Sequence, residues 1–162
     1  MSTVSGIGWD SHRLVEGRPL LLGGVTIPHD RGLEGHSDAD VLAHAVMDAL
    51  LGAAALGDIG QHFPDSDERY RGADSMALLR TVVTALATRG LRIVHVDTTV
   101  LMERPRLAEH REAIRASLAR GLDVTAGQVN VKASTGEGMG FVGRQEGVAA
   151  LAVATLRRED RG

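Results

Sequence analysis

The stretch SDADVLAHAVMDALLGAAALGD, residues 37–58, contains the strongest helix signal in this chain. Its apolar residues follow the three- and four-residue spacing of one helix face, at Val41, Leu42, Ala45, Val46, Ala49 and Leu50. Ser37 or Asp38 can cap the start of this helix, and Gly57 suits its end. The segment therefore predicts an amphipathic helix with His44 near its middle.

The segments on either side predict further strands and helices. Strands are predicted at residues 4–14, 18–28, 91–102 and 128–135, and helices at residues 73–90, 104–121 and 148–160. The third helix of the chain is expected to begin at Pro105, and the polar segment 58–75 is expected to be a loop. The order β-β-α-α-β-α-β-α suits an α+β fold with helices packed on one face of a sheet.

Composition limits the classes of protein that this chain can represent. Its 162 residues are 43% hydrophobic and only 2% aromatic, which predicts one globular domain over residues 1–162 with an aliphatic core. The net charge of −3 and the lack of an arginine-rich run argue against nucleic-acid binding. No signal peptide and no apolar run of about 18 residues is visible, so we expect a cytoplasmic protein that does not bind membranes.

A first cluster of polar residues has the chemistry of a metal site. The chain has no cysteine, so any metal must bind His, Asp or Glu. Asp10 and His12 are two apart on a predicted strand and therefore share a face, and His44 on the facing helix can complete the set. Two histidines and one carboxylate leave a position open, as in catalytic zinc sites, and the same set can hold non-haem iron. Asp40 and Asp48 are candidates to orient the His44 ring.

Spacing alone leaves a second interpretation of this cluster open. The pattern Asp-x-His is common, and a single histidine on a helix is more often a hydrogen-bonded core residue than a metal ligand.

A second cluster is a glycine-rich turn with five glycines between Gly136 and Gly147. Glycines let backbone N–H groups approach an anion, and a helix predicted to follow the turn would add its N-terminal dipole. Side chains that can donate to phosphate oxygens are Lys132, Ser134, Thr135 and Arg144. Glu137 suits an anion site only if a divalent cation such as Mg²⁺ also binds there. A simple glycine-rich turn without a ligand is the alternative.

Taken together, these segments resemble the 2-C-methyl-D-erythritol 2,4-cyclodiphosphate synthase family. The matching segments are DSHRL, LLLGGVTIP, GHSDADVLAHAVMDALLGAAALGDIGQHFPDSD, GADSMALLR, NVKAST and GFVGRQEG, which together extend from about Gly6 to the last predicted helix. The block from Gly35 to Asp67 is the most specific. The chain is thus identified as a single cyclodiphosphate synthase-like domain.

The resemblance implies an activity, its cofactors and an assembly. The enzyme would be a phosphorus–oxygen lyase of the non-mevalonate isoprenoid pathway. It would convert 4-diphosphocytidyl-2-C-methyl-D-erythritol 2-phosphate to the 2,4-cyclodiphosphate and release CMP. Zn²⁺ would bind Asp10, His12 and His44, and Mg²⁺ or Mn²⁺ would bind Glu137 together with the substrate diphosphate. The family also implies a homotrimer whose active sites lie between adjacent subunits.

The resemblance further implies roles for individual residues. His36 and Thr135 match the positions that stabilise the transition state. Substrate-binding residues are implied at Ser37, Asp58, Ile59, Gly60, Phe63, Asp65, Asp67, Met102, Pro105, Arg106, Ala133, Ser134, Phe141 and Arg144. Arg144 from three chains, with Phe141 and Trp9 as apolar walls, is expected to form a pocket on the trimer axis for an isoprenoid diphosphate.

The sequence also departs from the family pattern. Gly136 replaces a hydroxyl residue, Gly138 stands where relatives can carry lysine, and Met102 and Glu103 replace smaller residues near the expected cytidine pocket. Two other classes of protein remain as alternatives. One is a non-catalytic trimeric module, and the other is a metal-dependent phosphohydrolase that uses water as its nucleophile.

Overall fold

The computed structural model of the chain describes residues 2–159. Within this range, five strands form one sheet in the order β4-β1-β7-β5-β6, where the strands are Thr3–Glu16 (β1), Arg31–Leu33 (β4), Leu91–Leu101 (β5), Val129–Ser134 (β6) and Gly147–Arg158 (β7). The β5–β6 pair is parallel, and the other pairs are antiparallel. Leu20–Leu22 (β2) and Val25–Ile27 (β3) form a separate hairpin that turns at Gly23 and Gly24.

The helices confirm the predicted α+β class, with one helical layer on one face of the sheet. Helices occur at Val41–Ala53 (α1), Ile59–His62 (α2), Ser75–Ala87 (α3), Arg111–Leu122 (α4) and Gly140–Gly143 (α5), and 3-10 turns occur at Glu68–Tyr70 and Ala126–Gln128. Helix α1 packs across β1 and β7, α3 packs against α1, and α4 packs against α3 and β6. None of the helices in the described part of the chain is long and apolar enough to cross a membrane.

Two glycines of β1 allow α1 to lie directly on the strand backbone. A Cβ atom at Gly8 would lie 1.8 Å from the carbonyl oxygen of Ala45, and one at Gly6 would lie 2.3 Å from that of Ala49. Real Cβ atoms cannot approach so closely, so only glycine permits this helix–strand distance. The close approach matters for the site because Asp10 and His12 follow on β1, and His44 lies on α1.

The cap of α1 differs from the prediction. Asp40, rather than Ser37 or Asp38, caps the helix by accepting the N–H of Ala43 at 3.0 Å. Its fully buried carboxylate also accepts the N–H groups of Gly23 at 2.8 Å and Gly24 at 2.7 Å. Burial raises the pKa of Asp40, although these three donors oppose the shift. Asp40 therefore joins the β2–β3 hairpin to α1.

The predicted helix at residues 148–160 is wrong, because residues 147–158 form β7 in the middle of the sheet. Alanine-rich sequence favours a helix locally, but this segment has a strand partner on each side, in β1 and β5. Its small side chains suit a position beneath α1, where Ala150, Ala152 and Ala154 are buried. Residue 160 of the predicted helix lies outside the described residues.

The third predicted helix also begins later than expected. Helix α4 starts at Arg111 rather than at Pro105. Residues 102–110 instead form a loop whose Leu107 is buried and whose Leu107 carbonyl accepts the N–H of His110 at 2.9 Å. The segment thus packs Leu107 into the core before the helix begins.

Candidate active site

Three side chains bring one ligand atom each to a single point. Asp10 Oδ2 lies 2.8 Å from His12 Nε2 and 3.0 Å from His44 Nδ1, and the two nitrogens are 3.3 Å apart. Tetrahedral zinc with bonds of about 2.0–2.1 Å would place its ligand atoms roughly 3.3 Å from one another. The donor set and its spacing therefore fit a small tetrahedral cation. Within residues 2–159, this is the one group of three His, Asp or Glu side chains with such spacing.

The local structure explains why these atoms converge. Asp10 and His12 point toward α1 because they occupy alternate positions of β1. His12 Nδ1 lies 2.8 Å from the carbonyl oxygen of Glu34. A carbonyl can only accept, so Nδ1 carries a proton, and Nε2, which faces Asp10 in the metal-free protein, is the nitrogen left to bind a metal at the shared point.

The electrostatics keep Asp10 ionised. Burial alone would raise the pKa of Asp10, but its hydrogen bonds with His12 and His44 outweigh burial and lower the pKa to about 2. For His12, burial lowers the pKa, yet the Asp10 carboxylate raises it above the ordinary value overall. In the metal-free protein, the cluster therefore holds an anionic ligand against a histidine that readily accepts a proton.

A cavity of about 470 Å³ opens beside the three ligand atoms. It brings together six further residues that were singled out in the sequence: His36, Ser37, Ile59, Gly60, Phe63 and Asp65. Met47, Tyr70 and Leu78 also line it, although the sequence had not indicated them. His36 Nε2 lies 3.2 Å from the backbone carbonyl oxygen of Asp67, which holds the imidazole at the edge of the cavity.

Two predicted substrate residues of this region use their carboxylates elsewhere and are not among the cavity-lining residues. Asp58 caps α2 by accepting the N–H of Gln61 at 3.0 Å. Asp67 caps the 3-10 turn and pairs with the Arg69 guanidinium at 2.6 Å, and the hydrogen bonds from Arg69 lower its pKa. Both residues therefore shape the loop that carries Phe63 and Asp65, and the loop is more ordered locally than predicted.

Asp48 has a similar structural task. Its carboxylate accepts the N–H of Ile59 at 2.8 Å and so fixes the start of α2 against α1. Burial raises the pKa of Asp48. The prediction that Asp40 and Asp48 orient the His44 ring is wrong, because the ring contacts Ser75 Oγ at 2.8 Å and Ser37 Oγ at 3.3 Å.

A second, smaller cleft of about 150 Å³ collects five more of the predicted substrate residues together with Thr135, which was predicted to stabilise the transition state. Those that line it are Met102, Pro105, Arg106, Ala133, Ser134 and Thr135. Leu107, Ala108 and Arg111 complete the lining. The cleft lies between the loop after β5 and the end of β6. Strands β5 and β6 are parallel and therefore end at the same edge of the sheet.

The glycine-rich turn next to this cleft differs from the expectation in two ways. It leads into the single helical turn α5 and then into β7, so no long helix follows it. The N–H groups of Gly136 and Gly138 donate to the Glu103 carboxylate, at 2.8 and 3.3 Å. Lys132 also points away from the cleft, because its ammonium pairs with Asp97 at 2.6 Å.

Glu137 itself is exposed and has a positive φ of 51°. Its N–H donates to Thr135 Oγ1 at 3.2 Å. Its carboxylate is therefore accessible beside Thr135, which lines the second cleft.

The remaining predicted residues, Phe141, Arg144 and Trp9, line neither of these two cavities. Phe141 lines a third cleft of about 200 Å³, which it shares with His12 and Glu146. Arg144 donates to Glu146 Oε2 at 3.3 Å. Trp9 is 51% exposed on the face of the sheet that the helices leave uncovered.

Within one chain, the cavity beside Asp10, His12 and His44, called here the metal cavity, lies apart from the cleft at the end of β6, called the β6 cleft. Asp10 pairs with Ala150, Ala150 with Val100, and Val100 with Ala133, so Asp10 and Ala133 share one row of the sheet. Three strand spacings of about 4.8 Å separate them by roughly 14 Å. No residue of the β6 cleft also lines the metal cavity.

Comparison with known proteins places this arrangement in a family. A model of the YgbB family matches residues 3–157, nearly the full length of the chain. The chain belongs to the YgbB family.

Similar proteins carry one enzyme name. The chain is 61% identical over 152 residues to 2-C-methyl-D-erythritol 2,4-cyclodiphosphate synthase from Salinibacter ruber, and the match covers 94% of this chain and 97% of that protein. A solved CDP-bound form of 2C-methyl-D-erythritol-2,4-cyclodiphosphate synthase superposes with a TM-score of 0.87 at 40% identity, covering 94% of this chain and 99% of the other. These matches confirm the family resemblance that the sequence motifs predicted.

The fold also occurs within a longer protein. The bifunctional IspDF from Campylobacter jejuni superposes with a TM-score of 0.94 at 42% identity. The match covers 98% of this chain but only 43% of that protein, so the YgbB domain forms less than half of it.

Some residues of this YgbB site carried no sequence signal. Ser75 and the Glu34 carbonyl, which hold the two histidines, are 31 and 22 positions away from them. Glu103, which holds the glycine turn, is 33 positions from Gly136. Only the Ser75 position had a local hint, since it follows the helix cap Asp74, and a cap does not indicate a contact with a histidine.

Proposed function

We infer that this chain converts 4-diphosphocytidyl-2-C-methyl-D-erythritol 2-phosphate to 2-C-methyl-D-erythritol 2,4-cyclodiphosphate and releases CMP. The observation that carries this inference is the convergence of Asp10, His12 and His44 beside the 470 Å³ cavity, in a chain whose relatives bear the synthase name. In this reaction, an oxygen of the 2-phosphate forms a bond to the β-phosphorus, and the bond between that phosphorus and the oxygen of CMP breaks. The enzyme is then a phosphorus–oxygen lyase.

The residues of the chain would act mainly by positioning. The 2-phosphate is already an anion, so the attack needs no strong protein base, and holding the two phosphates in line can supply much of the rate. Ile59, Gly60 and Phe63 would enclose the methylerythritol part, with Asp65 accepting from its hydroxyls. His36 would donate to the phosphate oxygens near the attacked phosphorus. On the cytidine side, Ser134 and Thr135 would donate to the α-phosphate.

We propose two cation sites for this reaction. Zn²⁺ would bind Asp10, His12 and His44, whose ligand spacing and open position suit it. Mg²⁺ or Mn²⁺ would bind Glu137 together with the diphosphate. Bound cations would neutralise charge that develops on the phosphate oxygens. Glu137 is the only protein ligand proposed for the second ion, so the substrate would complete that site.

We further propose a homotrimer whose active sites combine two chains. The metal cavity and the β6 cleft lie roughly 14 Å apart in one chain by the sheet spacing, whereas the substrate must contact both. Ile7, Trp9 and Val153 are 69%, 51% and 44% exposed on the uncovered sheet face, which favours burial of that face between subunits. The phosphate side of one chain would then face the metal cavity of the next.

The uncovered face also supports the proposal of an axial isoprenoid diphosphate site. Trp9 and Phe141 would form its apolar walls, and Arg144 would contact the diphosphate after exchanging its Glu146 partner. Farnesyl diphosphate should raise the melting temperature of the wild type but not of Arg144→Ala. An equal response of both proteins would argue against this site.

The test of the main proposal distinguishes cyclisation from hydrolysis. The reaction is run in ¹⁸O-labelled water, and the product is analysed by phosphorus NMR. We expect a cyclic diphosphate without label, because the nucleophile comes from the substrate. A linear phosphate that carries solvent oxygen would instead support the phosphohydrolase alternative, and no turnover at all would support the non-catalytic module.

A further inference from the structure

The His44 ring presents different nitrogens to two sides. Its Nδ1 faces Asp10 Oδ2 at 3.0 Å and His12 Nε2 at 3.3 Å, which is the metal side. Its Nε2 points the opposite way and lies 2.8 Å from Ser75 Oγ. His44 is 8% exposed and Ser75 is fully buried, so water does not compete for this contact.

Ser75 is in turn held by a carboxylate. Its hydroxyl donates to Asp38 Oδ1 in a short hydrogen bond, and its backbone N–H donates to Asp38 Oδ2 at 2.9 Å. A carboxylate only accepts, so the single hydroxyl proton of Ser75 is committed to Asp38. Toward His44, Ser75 Oγ can then only accept.

The direction of the hydrogen bonds from His44 through Ser75 to Asp38 determines which His44 nitrogen carries the proton. Because Ser75 Oγ accepts, His44 must donate from Nε2, and Nδ1, which faces Asp10, is the nitrogen left to exchange its proton for a metal ion. Ser37 Oγ is a second, more distant acceptor at 3.3 Å from Nε2 and itself accepts the N–H of Ala39. In His12 the roles of the two ring nitrogens are exchanged. Its Nδ1 donates to the Glu34 carbonyl, and its Nε2 faces the metal side.

We propose that Asp38 and Ser75 are positioning residues that hold His44 in its metal-binding tautomer. The proposal deepens the zinc site proposed above and rests on it. The carboxylate–hydroxyl–imidazole order makes the ring orientation independent of the metal. Outer partners of this kind commonly contribute 10- to 100-fold to metal affinity.

The first test measures zinc affinity by competition with a chromophoric chelator in the purified full-length protein. In Asp38→Asn, the new amide can donate to Ser75 Oγ and so reverse the direction of that hydrogen bond. Ser75→Ala removes the hydroxyl oxygen that accepts from His44 Nε2. We expect each change to weaken zinc binding by about 10- to 100-fold. Ser75→Thr keeps the hydroxyl and should retain affinity near that of the wild type.

Asp74→Asn is the matched control. Asp74 caps the same helix through the N–H of Met76 at 2.9 Å and does not contact Ser75 Oγ or His44. Asparagine keeps an acceptor for this cap and removes only the charge, so zinc affinity should not change. Equal weakening in Asp74→Asn would attribute the effect to helix α3 as a whole and would overturn the proposal.

A second measurement uses only the wild type and therefore does not depend on whether a variant folds. In the metal-free wild type with ¹⁵N-labelled histidine, the proton on His44 Nε2 should be observed and should exchange slowly with water, because Ser75 holds it. An Nε2 that is unprotonated or exchanges rapidly would overturn the proposal. If the wild type binds no zinc, the metal site fails, whereas zinc binding of wild-type strength in Ser75→Ala and Asp38→Asn would leave the metal site intact and reject the positioning role.

Discussion

Asp10 lies between two imidazoles, and its charge governs how the metal-free site responds to pH. The folded pKa of about 2 is below the ordinary value of 3.8, so its stabilising contribution is complete above pH 3.8 and is lost as the pH falls toward 2. The contribution of His12 to stability depends on pH in the opposite direction. Because its pKa is raised in the folded protein, this contribution is complete below the ordinary value of 6.5 and is lost as the pH rises through the folded pKa. The stability from this pair is therefore greatest between pH 3.8 and 6.5, the ordinary pKa values of the two groups.

The contribution of Asp10 can be measured directly. The interval from 3.8 to about 2 corresponds to about 2 kcal/mol, since one pKa unit is worth about 1.4 kcal/mol. In metal-free protein, the free energy of unfolding of the wild type should fall by this amount more than that of Asp10→Asn between pH 4 and 2, as measured by urea titration. Asp30→Asn, whose carboxylate is 81% exposed, should follow the wild-type curve. If the free energies of unfolding of wild type and Asp10→Asn fall in parallel between pH 4 and 2, the pKa of Asp10 is not lowered in the folded protein.

The contact between β1 and α1 fixes the distance between the metal ligands. Gly8→Ala would place a methyl group 1.8 Å from the Ala45 carbonyl oxygen, so α1 must shift away from the strand. We expect a loss of about 3 kcal/mol in the free energy of unfolding, the upper range for overpacking, together with weaker zinc binding because His44 moves with the helix.

Gly52→Ala is the matched control for this change. Gly52 lies in the same helix, and its nearest contact for a new Cβ is the Ile7 carbonyl oxygen at 3.8 Å, an ordinary distance. Alanine should be neutral or stabilise by about 0.5–1 kcal/mol at this position. Similar destabilisation by both substitutions would contradict the close-contact explanation.

Glu103 joins the loop after β5 to the glycine turn after β6. Because its carboxylate occupies the N–H groups of Gly136 and Gly138, it holds the segment that carries Glu137. Glu103→Ala should loosen this turn, weaken CDP binding measured by calorimetry, and lower kcat/KM by about tenfold, since misplaced groups reduce the rate steeply.

Glu109→Ala serves as the comparison, because Glu109 is an exposed carboxylate in the same loop. It should leave both CDP binding and kcat/KM unchanged. Wild-type values in Glu103→Ala would show that the turn keeps its shape without this carboxylate.

The proposed assembly places His44 and Glu137 of one site on different chains. Co-expressing His44→Ala with Glu137→Ala in equal amounts would then give mixed trimers with one intact site in three. About three quarters of randomly assembled trimers are mixed, so roughly one quarter of the wild-type activity should return under this symmetry. Each variant expressed alone should be almost inactive. No recovery in demonstrated mixed trimers would place both residues of a site on the same chain.

Local periodicity was sufficient to predict most elements and the shared face of Asp10 and His12. The 3.6-residue pattern placed α1 and α3, and the two-residue period placed Asp10 and His12 on one face of β1. The lack of cysteine limited the metal ligands to His, Asp and Glu, and the motifs of residues 35–67 pointed to the family. The helix and strand assignments succeeded because they depend on residues that are close in the sequence, whereas His44, 34 positions from Asp10, was added as the histidine of the facing helix.

Only the tertiary structure decided the features that depend on distant residues. The segment 147–158 has helix-like composition, but partners on both sides make it the central strand β7. The Asp38–Ser75–His44 chain and the contact of Glu103 with the glycine turn join residues more than 30 positions apart. A hydrogen bond between such residues depends on how the layers pack, so no local pattern could predict it.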